Sequence, residues 1–191
     1  MALILMIDDD GLYRGIIERT LADHGHAVVT AENGAAGIAL YRELSPDLVI
    51  TDMRMPKVDG AEVIRSIRAD DVRTKIVAVS GSTTFQSVDF YKLAKEIGAD
   101  AVVCKIDPME TVIVEVQVLL KVNARLTSGP SIFRAAKLLL DRHGENALLR
   151  AAERTNQLLD AGDMIGAATW QRILGAVEEL TRGRRDGEAV N

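Results

Sequence analysis

The chain has 191 residues, of which 48% are hydrophobic and 27% are charged, proportions that are typical of a folded globule and exclude a disordered, collagen-like or coiled-coil protein. Its 28 acidic and 23 basic side chains give a net charge of −5, which argues against a protein dominated by attraction to nucleic acid. The single cysteine, Cys104, excludes a disulfide framework and a multi-cysteine metal site.

The N-terminal segment predicts neither a membrane anchor nor a secretion signal. Residues 1–7 are apolar, but the run stops at Asp8 and has no basic leader. No apolar run in the sequence approaches the roughly 18 residues that a membrane helix needs. We therefore expect a cytoplasmic protein without membrane association.

Short apolar runs in the first two thirds of the chain predict β-strands. Each run is four to six residues long, and most are rich in Val and Ile without polar alternation. This pattern is typical of strands that are buried on both faces of a parallel sheet. The runs cover residues 2–7, 27–30, 48–51, 76–80 and 101–104.

Segments of helical length separate these runs. In the first of them, over residues 12–23, we expect one apolar face made of Leu12, Ile16, Ile17 and Leu21. The remaining predicted helices cover residues 33–44, 61–69, 84–97 and 109–123. Five strands and five helices in strict alternation predict an α/β fold with a doubly wound, five-stranded parallel sheet of the flavodoxin-like type.

The composition changes near residue 124, and no strand pattern follows. Residues 127–131 are Thr-Ser-Gly-Pro-Ser, which indicates a linker. Helical patterns then cover residues 131–143, 145–161 and 163–182. We predict a first domain over 1–123, a linker over 124–131, a small all-α extension over 132–183 and a frayed end over 184–191. So short an extension forms a marginal core, and we expect it to pack on the first domain or on a second copy.

Polar side chains follow the predicted strands, where open α/β sheets bind their ligands. Clustered carboxylates repel one another unless they are protonated or hold a cation, and oxygen ligands suit Mg²⁺ with phosphate oxygens. A carboxylate can accept a phosphoryl group while a metal and an amine neutralise the developing charge. The side chains are Asp8, Asp9, Asp10, Asp52, Ser80 and Lys105.

Four segments resemble the signatures of one family in order and spacing. They are residues 4–10 with Arg14, residues 48–56 with Asp59 and Gly60, residues 78–81, and residues 103–105. Together they resemble the receiver domain of two-component response regulators, of the chemotaxis-regulator type. The resemblance covers residues 1–123.

The resemblance implies a role for each acidic residue that matches the motif. Asp52 corresponds to the phosphoacceptor of the family. Asp8 and Asp9 correspond to the acidic pair that holds Mg²⁺, or Mn²⁺, together with Asp52 and the main-chain carbonyl of Arg54. Asp10 matches no required position, and we interpret it as an acid at a helix start.

The resemblance also assigns the remaining polar positions. Ser80 corresponds to the switch hydroxyl, with Gly81 as its small neighbour, and Lys105 corresponds to the lysine that pairs with the phosphoryl group. Two departures stand out. The family usually places proline directly after this lysine, whereas Pro108 comes three positions after it here, and the switch aromatic of the fifth strand is replaced by Val102.

The implied function is that of a response regulator in a two-component phosphorelay. The chain would accept a phosphoryl group from a histidine kinase or a phosphotransfer protein. It would catalyse its own phosphorylation and dephosphorylation only, so we do not class it as an enzyme. We expect output through protein–protein contacts or dimerisation rather than DNA binding.

Two alternative functions use the same sequence. Asp8 and Asp10 also match the Asp-x-Asp opening of haloacid-dehalogenase-type phosphatases. That alternative leaves residues 52–60 unexplained, and its further acid, Asp163, lies in a helical segment. The second alternative is a receiver with a DNA-binding tail, but residues 127–191 carry nine basic and nine acidic side chains, whereas a recognition helix is usually basic.

The predicted fifth helix is apolar around nearly its whole circumference. We expect Val112, Val116 and Leu119 to pack on the sheet, which leaves Val114 and Val118 on the outer surface. Aromatic residues of the fourth helix adjoin this surface: Phe85, Phe90 and Tyr91. We therefore predict a buried α4–β5–α5 face, named for the fourth helix with the fifth strand and helix, that is covered by a second protomer or by the helical extension.

Overall fold

The computed structural model describes residues 1–81, 86–123 and 131–188. The chain divides into two compact units. The first comprises residues 1–42 and 46–128, and the second comprises residues 43–45 and 129–191. Of the predicted linker over 124–131, residues 124–130 lie outside the described residues, and residue 131 belongs to a helix. Residues 189–191 also lie outside the described residues.

The first unit is built on a five-stranded parallel sheet, as the apolar runs predict. The strand order is β2-β1-β3-β4-β5, which is the doubly wound, flavodoxin-like topology. In the register, Ile7 pairs with Thr51, and Ser80 pairs with Cys104. The residues that follow these strands therefore meet at one edge of the sheet. The strands are β1 Leu3–Ile7, β2 Ala27–Ala31, β3 Leu48–Asp52, β4 Lys75–Ser80 and β5 Ala101–Cys104.

Five helices connect and flank the strands, close to their predicted bounds. They are α1 Gly11–Asp23, α2 Gly34–Leu44, α3 Gly60–Asp70, α4 Gln86–Glu96 and α5 Met109–Asn123. The predicted start of α4, residues 84–85 including Phe85, lies outside the described residues. Asp59 caps α3 by accepting a hydrogen bond from the Glu62 N–H at 2.8 Å.

The sheet is buried because helices cover both of its faces. Every residue of β1 is completely buried, which explains why its apolar run has no polar alternation. On one face, α1 and α5 pack through Ile17, Leu21, Val112 and Val116 onto β-strand side chains. The predicted apolar face of α1 is thus confirmed for Ile17 and Leu21, but it is wrong for its other two residues.

In α1, the two N-terminal residues of the predicted face, Leu12 and Ile16, are not part of the core. Leu12 is 77% exposed and Ile16 is 45% exposed, whereas Ile17 and Leu21 are buried. Tyr13 packs against the core instead. The prediction failed because apolar periodicity alone does not show which arc of a short helix faces the sheet.

The second unit consists of helices alone in its described residues. α6 covers Ser131–His143, a 3₁₀ turn follows at Gly144–Asn146, and α7 and α8 cover Ala147–Asp160 and Met164–Glu188. The last helix continues beyond its predicted end at Arg182 into the segment that we expected to be frayed. Although α8 has 25 residues, no helix in the described part of the chain is both long and apolar enough to cross a membrane.

The core of the second unit is formed by the apolar faces of these helices. α7 and α6 each pack against α8. Trp170 of α8 is 2% exposed and is the largest fully buried side chain among the described residues. Around it the unit buries Ile132, Leu139, Ala151, Leu158, Ile173 and Val177.

Candidate functional site

The carboxyl ends of β1 and β3 bring three carboxylates together. Asp8 is completely buried, Asp52 is buried and Asp9 is exposed. One carboxylate oxygen of each lies within 4.8 Å of the other two. The main chain holds the two buried groups, because Asp8 Oδ1 accepts the Asp10 N–H at 2.9 Å and Asp52 Oδ1 accepts the Arg54 N–H at 3.1 Å.

Lys105 reaches into this cluster from the end of β5. Its ammonium donates hydrogen bonds to Asp52 Oδ2 at 2.9 Å and to Asp8 Oδ1 at 3.0 Å. Burial lowers the pKa of Lys105, but the hydrogen bonds to Asp52 and Asp8 outweigh burial and leave this pKa raised. Burial also raises the pKa of the Asp8 carboxyl, and the Lys105 hydrogen bond offsets this rise only in part. Three carboxylate groups thus face a single ammonium at this site.

The donor set fits a divalent cation. Three carboxylates face one ammonium at the cluster, and a hard divalent ion with oxygen ligands would supply further positive charge there. Asp8 Oδ2 is buried and lies 2.8 Å from the Lys105 ammonium, yet it accepts no hydrogen bond from the described residues. It therefore has lone pairs available for a metal ion.

Ser80 ends β4 beside the cluster, with its side chain turned inward. It is 6% exposed, and its hydroxyl has no hydrogen-bond partner in the part of the chain that the structure describes. A buried hydroxyl without a partner is costly unless a ligand completes it. The next residue is Gly81, where a Cβ atom would make an ordinary van der Waals contact with Cδ of Lys105, at 3.7 Å.

Asp10 points away from the carboxylate cluster. Its side chain caps α1 by accepting the N–H groups of Leu12 at 3.0 Å and Tyr13 at 3.2 Å. This is the helix-start position that we predicted. Asp163 likewise accepts the Gly166 N–H at 2.8 Å at the start of α8. Two of the three acids assigned to a haloacid-dehalogenase-type site, Asp10 and Asp163, are thus bound to helix starts.

The loop after Lys105 is closed without proline. The Asp107 N–H donates to the Cys104 carbonyl at 3.0 Å, and the Cys104 N–H donates to the Asp107 carboxylate at 3.0 Å. These two reciprocal hydrogen bonds close a tight turn around Lys105 and Ile106. The turn fixes the backbone from which the Lys105 side chain departs.

Sequence reasoning missed one residue of this site, Tyr13 on the first turn of α1. The Lys105 ammonium lies 4.8 Å from the centre of the Tyr13 ring. Burial raises the pKa of Tyr13 to about 12, so its hydroxyl stays protonated at neutral pH. The available signal was an aromatic residue four positions after Asp9. The predicted face of α1 did not include it, so the sequence analysis did not assign Tyr13 to the site.

The outer surface of α5 has the exposure that its sequence predicts. Val112 and Val116 are buried against the sheet, whereas Val114 is 55% exposed and Val118 is 50% exposed. Tyr91 of α4 is 54% exposed. These residues give the predicted α4–β5–α5 face its exposed apolar side chains; whether a partner covers it stays a prediction.

Comparisons of the sequence with known proteins identify related proteins. A sequence model of the response regulator receiver domain matches residues 4–117. The chain is 32% identical over 142 residues to the transcriptional regulatory protein AfsQ1 of Streptomyces coelicolor, an alignment that covers 74% of this chain and 60% of that protein. It is 40% identical over 78 residues to the chemotaxis protein CheY of Bacillus subtilis, which covers 40% of this chain and 65% of that protein.

Solved structures give the same result for the fold. The chemotaxis protein CheY4 of Vibrio cholerae superposes with a TM-score of 0.57 and 27% identity, over 62% of this chain and 98% of that one. A response regulator receiver domain protein of Clostridium thermocellum superposes with a TM-score of 0.61 and 27% identity, over 66% and 100%. The chain thus spans less than two thirds of the length of the first two curated relatives, but nearly all of these receiver structures.

Proposed function

The chain belongs to the response regulator receiver family, and on that premise we propose that it accepts a phosphoryl group on Asp52 in a Mg²⁺-dependent reaction. The physiological donor would be a histidine kinase or a phosphotransfer protein. The observation that carries the proposal is the Lys105 ammonium, which bridges Asp52 at 2.9 Å and Asp8 at 3.0 Å inside the carboxylate cluster.

Asp52 is the carboxylate best suited to attack phosphorus. A bond forms between one of its oxygens and the phosphorus atom, while the bond from phosphorus to the leaving group of the donor breaks. The Arg54 N–H and the Lys105 ammonium each contact a different Asp52 oxygen, which fixes the carboxylate plane. Mg²⁺ held by Asp8, Asp9, Asp52 and the Arg54 carbonyl would neutralise charge on the phosphoryl oxygens.

Two side chains would then bind the attached phosphoryl group. The Lys105 ammonium already contacts Asp52, and it would form an ion pair with the attached phosphoryl group. The Ser80 hydroxyl, which is buried without a partner among the described residues, would gain an acceptor. Both interactions would stabilise the phosphorylated chain, and they would accelerate the transfer to the extent that they are already formed in its transition state.

Chemical phosphorylation of the purified chain tests this proposal. We expect acetyl phosphate with Mg²⁺ to add one acid-stable, base-labile phosphate, detected by intact-mass spectrometry. Asp52→Asn should abolish labelling, whereas Asp59→Asn, a nearby exposed acid that caps α3, should leave it intact. Full labelling of the Asp52→Asn chain would contradict the assignment.

Members of this family typically signal rather than convert a diffusing substrate. We propose that this chain catalyses only the gain and loss of its own phosphate and that its output is a protein–protein contact. The candidate contacts are a homodimer through the α4–β5–α5 face or through the helical extension. The exposed Val114 and Val118 support the first of these.

Several relatives are named as transcriptional regulators, so DNA binding by the extension is the second candidate output. The charge of the extension favours a protein–protein contact over DNA binding. α8 presents Arg172 and Arg182 as exposed cations, but Glu178 and Glu179 are exposed between them. We expect fluorescence anisotropy to show no binding to duplex DNA at physiological salt. Tight binding with a steep salt dependence would favour a DNA-binding output instead.

A further inference from the structure

The aromatic ring of Tyr13 lies against the charged end of Lys105. The ring centre is 4.8 Å from the ammonium nitrogen, which is within the roughly 6 Å over which an aromatic face attracts a cation. Tyr13 is half-buried and packs against the core of the first unit. The ring is therefore held partly out of water beside Lys105.

The Asp107 turn fixes the main chain on either side of Lys105, but the turn does not hold the lysine side chain. Lys105 follows β5, an edge strand of the sheet, and precedes Ile106, which is 67% exposed. A lysine stem has four flexible carbon–carbon bonds and an ammonium with three donors. Asp8 and Asp52 each accept a hydrogen bond from this ammonium. An aromatic face adds attraction without competing for those carboxylates.

The position of Tyr13 is fixed by the first turn of α1. Its N–H is bonded to the Asp10 carboxylate, and the guanidinium of the following residue, Arg14, donates to the Asp8 carbonyl at 2.6 Å. These contacts tie the start of α1 to the end of β1. The same short segment therefore supplies Asp8 and Asp9 to the carboxylate cluster and sets the ring beside Lys105.

We propose that Tyr13 is a positioning residue for phosphoryl transfer, which holds the Lys105 ammonium towards Asp52 through its aromatic face. The proposal rests on the proposed function, because it deepens the role of Lys105 in that reaction. It requires the π face of the ring and not its hydroxyl. A purely structural role would require only apolar volume, so the two explanations predict different results for phenylalanine and leucine.

Three variants separate these explanations: Tyr13→Phe keeps the aromatic face, Tyr13→Leu keeps apolar volume, and Lys105→Met removes the cation. We expect Tyr13→Leu to slow phosphorylation by acetyl phosphate and Mg²⁺ by about 3- to 30-fold, the factor that corresponds to one partly buried cation–π contact. Tyr13→Phe should stay within about twofold of the natural chain, again on the scale of that contact. In the Lys105→Met background, Tyr13→Leu should have no additional effect, because the two residues act as a unit.

A spectroscopic readout keeps the test independent of phosphorylation. The ring current of Tyr13 should shift the ε-methylene protons of Lys105 upfield in the natural chain and in Tyr13→Phe, and this shift should be lost in Tyr13→Leu. Loss of the shift with unchanged chemistry would overturn the proposal and leave the proposed function intact. A natural chain that is never phosphorylated would refute the proposed function itself, and Tyr13 would then have no reaction to serve.

Two further results would also overturn the proposal. One is a Tyr13→Phe chain as slow as Tyr13→Leu, because this would implicate the hydroxyl. The other is a Tyr13→Leu defect of the same size in the Lys105→Met background, because this would place the effect in the core. Thermal unfolding of each variant identifies a folding defect. Where one is found, the ring-current shift in the folded fraction shows whether the aromatic contact with Lys105 persists.

Discussion

The Lys105 ammonium lies 2.9 Å from Asp52, although the two residues are 53 positions apart in the chain. β3 and β5 are not neighbours in the sheet, since β4 lies between them. The lysine side chain therefore extends across the end of β4, where Ser80 lies, to reach the carboxylate. This contact links three strand ends and makes Lys105 the main counter-ion of two buried acids.

Removal of Lys105 should destabilise the metal-free chain. The Lys105 side chain is 16% exposed, and its loss leaves the buried carboxylates of Asp8 and Asp52 facing each other without a cation. For Lys105→Met we expect a loss of about 2 kcal/mol in the free energy of unfolding, less than for a fully buried pair because Asp9 is exposed beside the site. Urea unfolding without metal measures it, with the exposed Lys121→Met as control.

Addition of Mg²⁺ should reverse this loss, because a divalent ion replaces the missing positive charge. We expect Mg²⁺ to stabilise Lys105→Met more than it stabilises the natural chain. Equal stability of Lys105→Met and Lys121→Met without metal would show that the ion pair contributes nothing.

Asp107 should hold the turn that carries Lys105. Asp107→Ala removes the acceptor of the Cys104 N–H, and we expect a loss of about 1 kcal/mol together with faster hydrogen exchange at the Cys104 amide. Asp107→Asn retains a side-chain oxygen and should preserve most of the protection. An unchanged exchange rate in Asp107→Ala would mean that the turn is fixed by the main chain alone.

Charged substitutions on the outer surface of α5 should separate assembly from chemistry. Val114→Glu and Val118→Glu alter half-exposed positions, so we expect stability to change by less than about 0.5 kcal/mol and phosphorylation to persist. Light scattering or small-angle scattering should show a lower molar mass or a less compact chain. Val116→Ala, at a fully buried position, is the contrasting control and should cost about 2 kcal/mol. Unchanged mass and compactness would mean that this surface is free.

His26 should make stability dependent on pH near neutrality. Burial lowers the pKa of His26, and its Nδ1 atom is buried without a hydrogen-bond partner among the described residues. Below the unfolded pKa of about 6.5, the unfolded chain therefore binds a proton that the folded chain disfavours. Stability should fall as the pH drops from about 7.5 to 5.5, with a slope below about 1.4 kcal/mol per pH unit for one proton. The difference in slope between the natural chain and His26→Gln measures this contribution.

Trp170 fluorescence reports on the folding of the helical extension, because Trp170 is the single tryptophan of the chain and is buried in the second unit. We expect its fluorescence to change in the same denaturant range as the circular dichroism of the whole chain, since the extension alone forms a marginal core. A well-separated Trp170 transition would show that the extension folds by itself. Trp170→Ala should cost about 3 to 5 kcal/mol.

The sequence alone determined the sheet, the family and the chemical groups at the strand ends. Strands buried on both faces must be apolar throughout, so runs such as 48–51 stand out without any tertiary information. Parallel strands also place their carboxyl ends at one edge, so Asp8, Asp52, Ser80 and Lys105 could be grouped before any distance was known.

Only the tertiary structure decided the contacts that depend on a direction in space. Apolar periodicity favoured Leu12 and Ile16, whereas the packing of α1 on the sheet selected Tyr13 and brought its ring to Lys105. The sequence offered Asp10 as a possible catalytic acid or as a cap, and the helix start used its carboxylate. The absence of proline directly after Lys105 can be read from the sequence, but the turn that Asp107 closes there depends on two hydrogen bonds whose geometry no residue pattern predicts.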